Sequence, residues 1–240
     1  MKAFLLAGGR GERLRPLTDR MPKCLVPIDG LPLLAIWLDL CEKHGVSEAL
    51  VNVSQFPELV EEFLATTRTK VKVTLVREGQ PVGNAGTVLA NRDFVKGEES
   101  FYILYTDNLT DVALDRLAAF HATHAAPITM GLFRTPAPRA SGLVQLGPGG
   151  VVTHFEEKPD QPVGDLANAG LYVARPSLFD FIPNDLAVTD FGHDVFPRLI
   201  NRMYGCLVEG YLLDIGNPSA LAHGTRVWAD RKAAVERFPA

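Results

Sequence analysis

Long apolar runs, excess basic residues and paired cysteines are all scarce in this 240-residue sequence. No stretch approaches the roughly 18 apolar residues of a membrane-spanning helix, and the opening MKAFLLAGG has too short an apolar run for a signal peptide. The 28 acidic residues outnumber the 24 lysines and arginines, which disfavours a general nucleic-acid binder. Three cysteines without a C-x-x-C pair argue against a disulfide framework or a structural zinc site. We therefore expect a cytoplasmic protein with no membrane or nucleic-acid partner.

Short apolar runs alternate with amphipathic stretches along the chain, as in α/β folds with mostly parallel sheets. We predict one α/β domain over residues 1–240, doubly wound around a mostly parallel mixed sheet. Residues 1–110 are expected to form a nucleotide-binding lobe, and residues 111–240 an antiparallel acceptor-binding lobe. In the second lobe the pattern predicts helices at 114–124 and 193–201 and a strand at 207–214. His121 and His124 are interpreted as part of a surface face rather than as a metal pair.

A glycine-rich segment, AGGRGERLRPLTDRMPKCLVP at residues 7–27, follows the first predicted strand. Glycine allows positive φ and brings bare amide groups against phosphate oxygens, and Arg13 and Lys23 add positive charge. The segment is not a P-loop, because Glu12-Arg13 follows Gly11 where Lys-Ser or Lys-Thr would be needed. It is not a dinucleotide fingerprint either, because Pro16 interrupts any following helix. The glycines alone predict no more than a tight turn, but the whole string is far more specific.

The string resembles the signature of the sugar-nucleotide pyrophosphorylases, GG-x-G-x-R-L-x-P-L-T-x-x-x-P-K-x-L-x-P. It matches that signature at Gly8, Gly9, Gly11, Arg13, Leu14, Pro16, Leu17, Thr18, Pro22, Lys23, Leu25 and Pro27. The resemblance implies a Rossmann-like nucleotidyltransferase fold whose nucleotide-binding residues here are Leu6, Ala7, Gly8, Gly9 and Gly11. It also implies two catalytic cations: Arg13 would hold the leaving pyrophosphate and Lys23 the reacting phosphates. Cys24 departs from the pattern, where proline or alanine is usual.

A second match lies at Gly83-Asn84-Ala85-Gly86-Thr87, which resembles the family's G-T-A-G loop against the base. The resemblance implies that Gly83 and Asn84 bind the nucleotide, and that Glu78 or Gln80 reads the edge of the base. The residues by themselves equally predict a helix with Asn84 as its N-cap.

Two aspartates are expected to form a metal site. Asp107 follows the predicted strand at 101–105, and ligands of open α/β sheets gather at the carboxyl ends of strands. A carboxylate there suits Mg²⁺, which prefers oxygen ligands, although an Asx turn would explain it equally well. The resemblance implies that Asp107 is a catalytic metal ligand and that Asp214, in Leu213-Asp214-Ile215-Gly216-Asn217-Pro218, is the second ligand. Thr106 replaces the family's glycine, and Leu212-Leu213 replace its aromatic pair.

Two further segments resemble the family's acceptor site. Glu156-Glu157-Lys158-Pro159 matches E-E-K-P, and the segment at 168–172 matches N-A-G-I-Y. The tetrapeptide alone would be a solvated charge run before a turn. The sugar-phosphate-binding residues implied by the resemblance are Asn108, Gly142, Glu157, Lys158 and Asn168.

The resemblance covers the chain from Lys2 to about Leu221. It implies a Mg²⁺-dependent enzyme of the EC 2.7.7 class that converts a nucleoside triphosphate and a sugar 1-phosphate to a nucleotide-sugar and pyrophosphate. Two alternatives stay open: a cytidylyltransferase for phosphocholine or another non-sugar phosphate, and a catalytically silent nucleotide-sugar sensor. The short form looks most like the mannose- or heptose-1-phosphate guanylyltransferases and related uridylyltransferases. The base, the sugar, the number of metal ions and the oligomeric state, a homodimer included, are left open.

Overall fold

The computed structural model describes residues 1–185 and 187–237. The first 110 residues alternate strands and helices in the order β1 (Lys2–Leu6), β2 (Pro27–Ile28), β3 (Leu31–Pro32), α1 (Leu33–Lys43), β4 (Glu48–Val53), α2 (Pro57–Thr66), β5 (Lys72–Arg77), α3 (Asn84–Ala90), β6 (Phe101–Tyr105) and β7 (Asn108–Thr110). The later elements are α4 (Leu114–His121), β8 (Ile128–Arg134), β9 (Gly142–Leu146), β10 (Val152–Glu157), β11 (Leu166–Ala174), β12 (Tyr204–Leu207), β13 (Leu212–Asp214) and α5 (Pro218–Arg237). Among the described residues, no helix has the length and hydropathy that crossing a membrane requires.

One mixed sheet takes nine of the described strands. Its order is β10-β9-β11-β6-β1-β4-β5, with β8 paired to β11 and β12 paired to β8. β1 is parallel to both β4 and β6, whereas β11 is antiparallel to β6, β8 and β9. Only β10 and β11 therefore run against the other strands of this sheet, and the predicted mostly parallel mixed sheet with antiparallel additions is confirmed. The division into two lobes at residue 110 stays a prediction.

Both faces of the sheet are covered by apolar layers, because side chains alternate along a strand. In β1, Ala3 and Leu5 belong to the layer under α1 and α4, and Phe4 belongs to the opposite layer beside α3. α1 buries one apolar face, formed by Leu33, Leu34, Trp37, Leu38 and Cys41. Full burial of such a side chain stabilises the fold by roughly 1.5–3 kcal/mol, so the central strands form a rigid base for the loops that follow them.

The prediction that His121 and His124 lie on a surface face is wrong for His121. The helix α4 ends at His121 rather than at residue 124, and the His121 side chain is buried against β8, with Nδ1 2.8 Å from Thr129 Oγ1. Burial lowers the pKa of His121 to about 4. The His124 ring stacks on Tyr204, with the ring centroids 3.9 Å apart. The two histidines therefore pack the end of α4 and the residues after it onto the sheet, and the described residues contain no group of three or more His, Cys, Asp or Glu side chains placed to hold a metal ion.

Two other predicted elements are also wrong. Residues 193–201 form no continuous α-helix: a single π-helical turn at Phe191–Val195 is followed by a short turn at Phe196–Leu199. Pro197 lies there and lacks the N–H that would extend a regular helix. The predicted strand at 207–214 is two strands in different sheets, separated by Gly210 at φ 129. This break allows β13 to leave the main sheet and pair with β7.

Candidate functional site

A cleft opens at the carboxyl ends of the parallel strands β1, β4 and β6. A cavity of about 540 Å³ lies above the glycine-rich loop, and a second cavity of about 220 Å³ adjoins it over β9, β10 and β11. The two cavities share Asn84, Tyr105 and Asp107 as wall residues. A ligand in the first cavity therefore lies next to a ligand in the second, as a donor and an acceptor must.

The glycine-rich loop forms one wall of the larger cavity, which Leu6, Ala7, Gly8, Gly9 and Gly11 all line. A Cβ at Gly8 would lie 2.6 Å from Asn52 Nδ2. The Asn52 side chain is buried and cannot move away, since its Oδ1 accepts a hydrogen bond of 2.9 Å from Ala7 N. A Cβ at Gly9 would meet nothing within 4 Å. Gly8 is thus required for packing, whereas Gly9 leaves bare backbone beside the cavity.

Lys23, Asp107 and Asp214 meet at the boundary of the two cavities. β13 pairs antiparallel with β7 so that Asp214 lies opposite Asn108, beside Asp107. Trp37 holds β7 from below, because its Nε1 donates to Asn108 O at 2.9 Å. The Lys23 ammonium lies 3.2 Å from Asp107 Oδ2 and 3.4 Å from Asp214 Oδ1. The two predicted metal ligands, far apart in sequence, therefore flank one cationic group.

Arg13 reaches the same place from the glycine-rich loop. Its Nη2 lies 3.5 Å from Asp214 Oδ2, and its side chain is otherwise exposed to the cleft. A Cβ at Gly216 would lie 2.7 Å from both Arg13 Nη2 and Asp214 Oδ1. The absence of a side chain at Gly216 therefore lets the guanidinium and the carboxylate approach each other at the rim of the larger cavity.

The chemistry of these donors fits a divalent cation. Asp107 and Asp214 offer carboxylate oxygens, the hard ligands that Mg²⁺ prefers, and each side chain is about half exposed to the cleft. In the described part of the chain no third acidic, histidine or cysteine side chain joins them. Mg²⁺ commonly takes its remaining ligands from water and substrate phosphates, and the open cleft beside the two carboxylates has room for both.

The start of α3 forms the end of the larger cavity where the resemblance places the base, here called the base end. The helix begins at Asn84 with Gly83 as its N-cap and no side-chain capping bond, so the alternative prediction of Asn84 as N-cap is wrong. Glu78 lines the cavity and accepts a hydrogen bond from the Thr87 hydroxyl. Gln80 lines neither cavity. Of the two residues predicted to read the base, the structure brings Glu78 to the cavity and leaves Gln80 outside its wall.

The smaller cavity collects four of the five residues predicted for the acceptor, Asn108, Gly142, Glu157 and Asn168. A Cβ at Gly142 would lie 2.6 Å from Glu157 Oε2, so the glycine makes room for that carboxylate. Lys158, the fifth, does not line the cavity. Its Nζ lies 3.5 Å from Glu157 Oε1, and its side chain is largely exposed.

Several residues of the cleft carried no recognised signal in the sequence. Asn52 is a polar residue near the carboxyl end of β4, within the apolar run at residues 49–53, and that contrast could have marked it. Burial, with the neighbouring Tyr172, holds the pKa of Tyr105 well above its ordinary value, so its phenol stays protonated beside both cavities. Asp190 lies in an irregular segment without a periodic pattern. Cys24 is not a candidate nucleophile, because burial raises the pKa of its thiol to about 12.

Comparison with known proteins agrees with this geometry. The family model described as Nucleotidyl transferase matches residues 2–230. "Probable mannose-1-phosphate guanylyltransferase 2" of Oryza sativa subsp. japonica is 32% identical over 99% of this chain and 68% of its own length. "Mannose-1-phosphate guanylyltransferase 1" of Arabidopsis thaliana is 32% identical over 96% of this chain and 65% of its own length. The chain thus spans about two thirds of the length of these curated relatives.

Solved structures resemble the fold as well. The apo UDP-glucose pyrophosphorylase structure superposes with a TM-score of 0.83 at 17% identity, covering 96% of this chain and 98% of the other. At that identity the likeness supports the fold alone. The predicted family and the predicted transferase class are nevertheless confirmed by the family model and the curated relatives. The family model matches nearly the whole chain, and the glycine-rich loop, the two cations and the paired aspartates lie in one cleft. The protein therefore belongs to the nucleotidyl transferase family.

Proposed function

We propose that the chain transfers a nucleotidyl group from a nucleoside triphosphate to a sugar 1-phosphate and releases pyrophosphate. The observation that carries the proposal is the meeting of Lys23, Asp107 and Asp214 where the two cavities join. The larger cavity has bare backbone for the triphosphate, and the smaller has carboxylate and amide groups for sugar hydroxyls. The relatives' names support a sugar phosphate as acceptor over phosphocholine.

In the proposed reaction a phosphate oxygen of the acceptor attacks the α-phosphorus of the triphosphate. A new P–O bond forms as the α–β anhydride bond breaks, and pyrophosphate leaves with the bonding electron pair. A phosphate monoester with a second pKa of about 6 is mostly dianionic near neutral pH, so the attack needs no general base. Catalysis then consists of positioning and charge stabilisation.

The chain's own groups would divide this work. Arg13, at the rim of the larger cavity, would hold the departing pyrophosphate. Lys23, nearly buried under the cleft, would bind the reacting phosphates with its ammonium. Glu157 would accept hydrogen bonds from sugar hydroxyls in the smaller cavity. Lys158, outside that cavity's wall, would reach the acceptor phosphate only by a change of side-chain rotamer.

Members of this family typically use a divalent metal ion, and we propose Mg²⁺ held by Asp107 and Asp214. When bound, it would neutralise phosphate charge at the boundary of the two cavities. Asp214 is already oriented for this, since its Oδ1 accepts a hydrogen bond of 2.7 Å from Gly216 N. The free cysteines Cys24, Cys41 and Cys206 fit the proposed cytoplasmic location.

For the substrates we propose GTP and mannose 1-phosphate. The curated relatives at 32% identity are named mannose-1-phosphate guanylyltransferases. The Glu78 carboxylate at the base end of the cavity supports guanine, because guanine presents two adjacent N–H donors, N1–H and the N2 amino group. Other bases lack this pair of donors on one edge, so a carboxylate favours them less.

The test is a pyrophosphate-release assay with Mg²⁺ and a panel of nucleoside triphosphates, each paired with either mannose 1-phosphate or phosphocholine as the acceptor. We expect turnover with GTP and its loss by orders of magnitude in Asp107→Asn, with thermal unfolding unchanged. Turnover only with CTP and phosphocholine would favour the cytidylyltransferase. Ligand-induced stabilisation without pyrophosphate release from any combination would favour a silent sensor. Near-wild-type turnover of Asp107→Asn would refute the assignment of Asp107.

A further inference from the structure

Residues 189–191, here called the covering segment, lie over the amino-terminal end of α3. The first N–H groups of a helix have no partner within it, and α3 has no side-chain cap. Thr189 O accepts hydrogen bonds from Ala85 N at 3.1 Å and from Gly86 N at 3.2 Å, and Thr189 N donates to Val82 O at 2.8 Å. A Cβ at Gly83, which has φ 82, would overlap the Thr189 carbonyl. The segment at residues 83–87 is therefore held in place by residues far away in sequence.

A pair of side-chain hydrogen bonds joins the same two segments. Asp190 Oδ2 accepts from Asn84 Nδ2 at 2.6 Å, and Asn84 Oδ1 accepts from Phe191 N at 2.7 Å. Each polar group of the Asn84 amide thus has its partner in the covering segment. We call this pair of bonds the Asn84–Asp190 bridge.

The second oxygen of Asp190 binds the turn beside the smaller cavity. Its Oδ1 accepts from Gly192 N at 2.7 Å and from His193 N at 3.1 Å, which sets the turn that follows. A Cβ at Gly192 would lie 3.1 Å from Glu157 Oε2, so this turn packs against the carboxylate proposed to bind the sugar. Asn84 lines both cavities, and Asp190 and Gly192 line the smaller one. One carboxylate therefore orients a wall of each cavity.

We propose that Asp190 is a positioning residue that couples the two substrate sites through the Asn84–Asp190 bridge. An acceptor that orders the turn at Gly192 and Glu157 also fixes Asn84 and Gly83 against the nucleotide, and the nucleotide does the same in return. Binding of either substrate therefore raises the affinity for the other, since coupling between two sites is reciprocal. The inference rests on the proposed function, because it assigns a nucleotide to one cavity and a sugar phosphate to the other.

The bridge allows a test by exchange of its two side chains. Asn84→Asp places two carboxylates against each other. Asp190→Asn leaves its NH₂ group facing another donor, either the Asn84 amide or the N–H groups of Gly192 and His193. The double variant N84D/D190N restores both bonds, because the new amide at position 190 can donate to the new carboxylate at position 84. That carboxylate still accepts from Phe191 N, and the amide oxygen at position 190 still accepts from Gly192 N and His193 N. The exposed Asp180 provides a matched control as Asp180→Asn.

Initial rates measured over a grid of GTP and mannose 1-phosphate concentrations give kcat, both KM values and the factor by which each substrate changes the KM of the other. We expect each single variant to raise both KM values about tenfold, the effect of one lost charge-assisted hydrogen bond. The coupling factor should fall towards one. The double variant should return both KM values and the coupling factor to near wild type.

Three results would overturn the coupling: single variants with wild-type KM values, a rise in only one of the two KM values, or a double variant as impaired as the singles. If the double variant recovers its thermal unfolding midpoint but not its KM values, the bridge is structural only, which also overturns it. A wild-type protein without turnover of any triphosphate and sugar 1-phosphate would instead refute the proposed function, so the two failures are distinguishable.

Discussion

Replacement of Lys23 by methionine should change metal binding and turnover in opposite directions. Methionine keeps most of the length of the buried stem and removes the charge between Asp107 and Asp214. In the wild-type protein a divalent cation must approach two carboxylates whose charge the Lys23 ammonium already offsets in part, at 3.2 and 3.4 Å, while Arg13 stays beside Asp214 in both proteins. In Lys23→Met the carboxylates lack this counter-ion, so Mg²⁺ should bind more tightly in the absence of substrate.

The magnitude follows from the geometry. Two unit charges about 3.3 Å apart interact by roughly 1 kcal/mol in water and about 5 kcal/mol at an effective dielectric constant of 20. Because Asp107 and Asp214 are about half exposed, solvent screening favours the lower end, about 1 kcal/mol for each pair. The two pairs together give about 2 kcal/mol, and since about 1.4 kcal/mol corresponds to a tenfold change in Kd, Mg²⁺ should bind roughly 30-fold more tightly. Turnover should fall by about 10²–10³, the usual cost of one preorganised charge at a reacting phosphate.

The assay is a Mg²⁺ titration followed by thermal unfolding without nucleotide, beside steady-state pyrophosphate release. Lys96→Met, at an exposed lysine away from the cleft, is the control and should match wild type in both measurements. A Kd for Mg²⁺ in Lys23→Met equal to or weaker than that of wild type would refute the reasoning, because the ammonium and the metal would then not compete for the same carboxylates.

Three other changes test separate parts of the structure. Gly8→Ala should lower the free energy of unfolding by roughly 1–3 kcal/mol, the usual cost of overpacking, because its Cβ would lie 2.6 Å from Asn52 Nδ2. Gly9→Ala should leave thermal unfolding unchanged. Equal unfolding midpoints for the two variants would contradict this account. Glu157→Gln should raise the KM for mannose 1-phosphate about tenfold. The KM for GTP, measured at saturating mannose 1-phosphate, should be unchanged, so an equal rise in both would argue against a direct sugar contact. His121 has a pKa of about 4 in the folded protein in place of 6.5. Between these pH values the unfolded chain binds a proton that the folded protein does not. The free energy of unfolding should therefore be highest above pH 6.5 and fall by up to roughly 3 kcal/mol towards pH 4. Urea unfolding of His121→Asn across this range should show a smaller decline, and parallel curves would exclude His121 as the cause.

The sequence alone predicted the mixed α/β sheet. The apolar periods of 2 for a strand and 3.6 for a helix are local, so they can be recognised without knowing which elements pack together. It also predicted the glycine-rich loop and most of the predicted site residues that line the two cavities, through the resemblance of several motifs in order, but Gln80 and Lys158 line neither cavity. Where local signals were weak the predictions were wrong: the segment after Asp190 has no regular period, and the break at Gly210 divides one apolar run between two sheets.

Only the tertiary structure decided how the polar groups meet. The register of β7 and β13 places Asp214 beside Asp107, and Lys23 lies between them although no spacing in the sequence indicates it. The contact of Asp190 with Asn84 also joins residues that are distant along the chain. Such contacts depend on which strands pair and which loops cross, and that choice is made by burial over the whole chain. A local pattern indicates which face of a helix or strand is buried, but not which distant residue contacts that face.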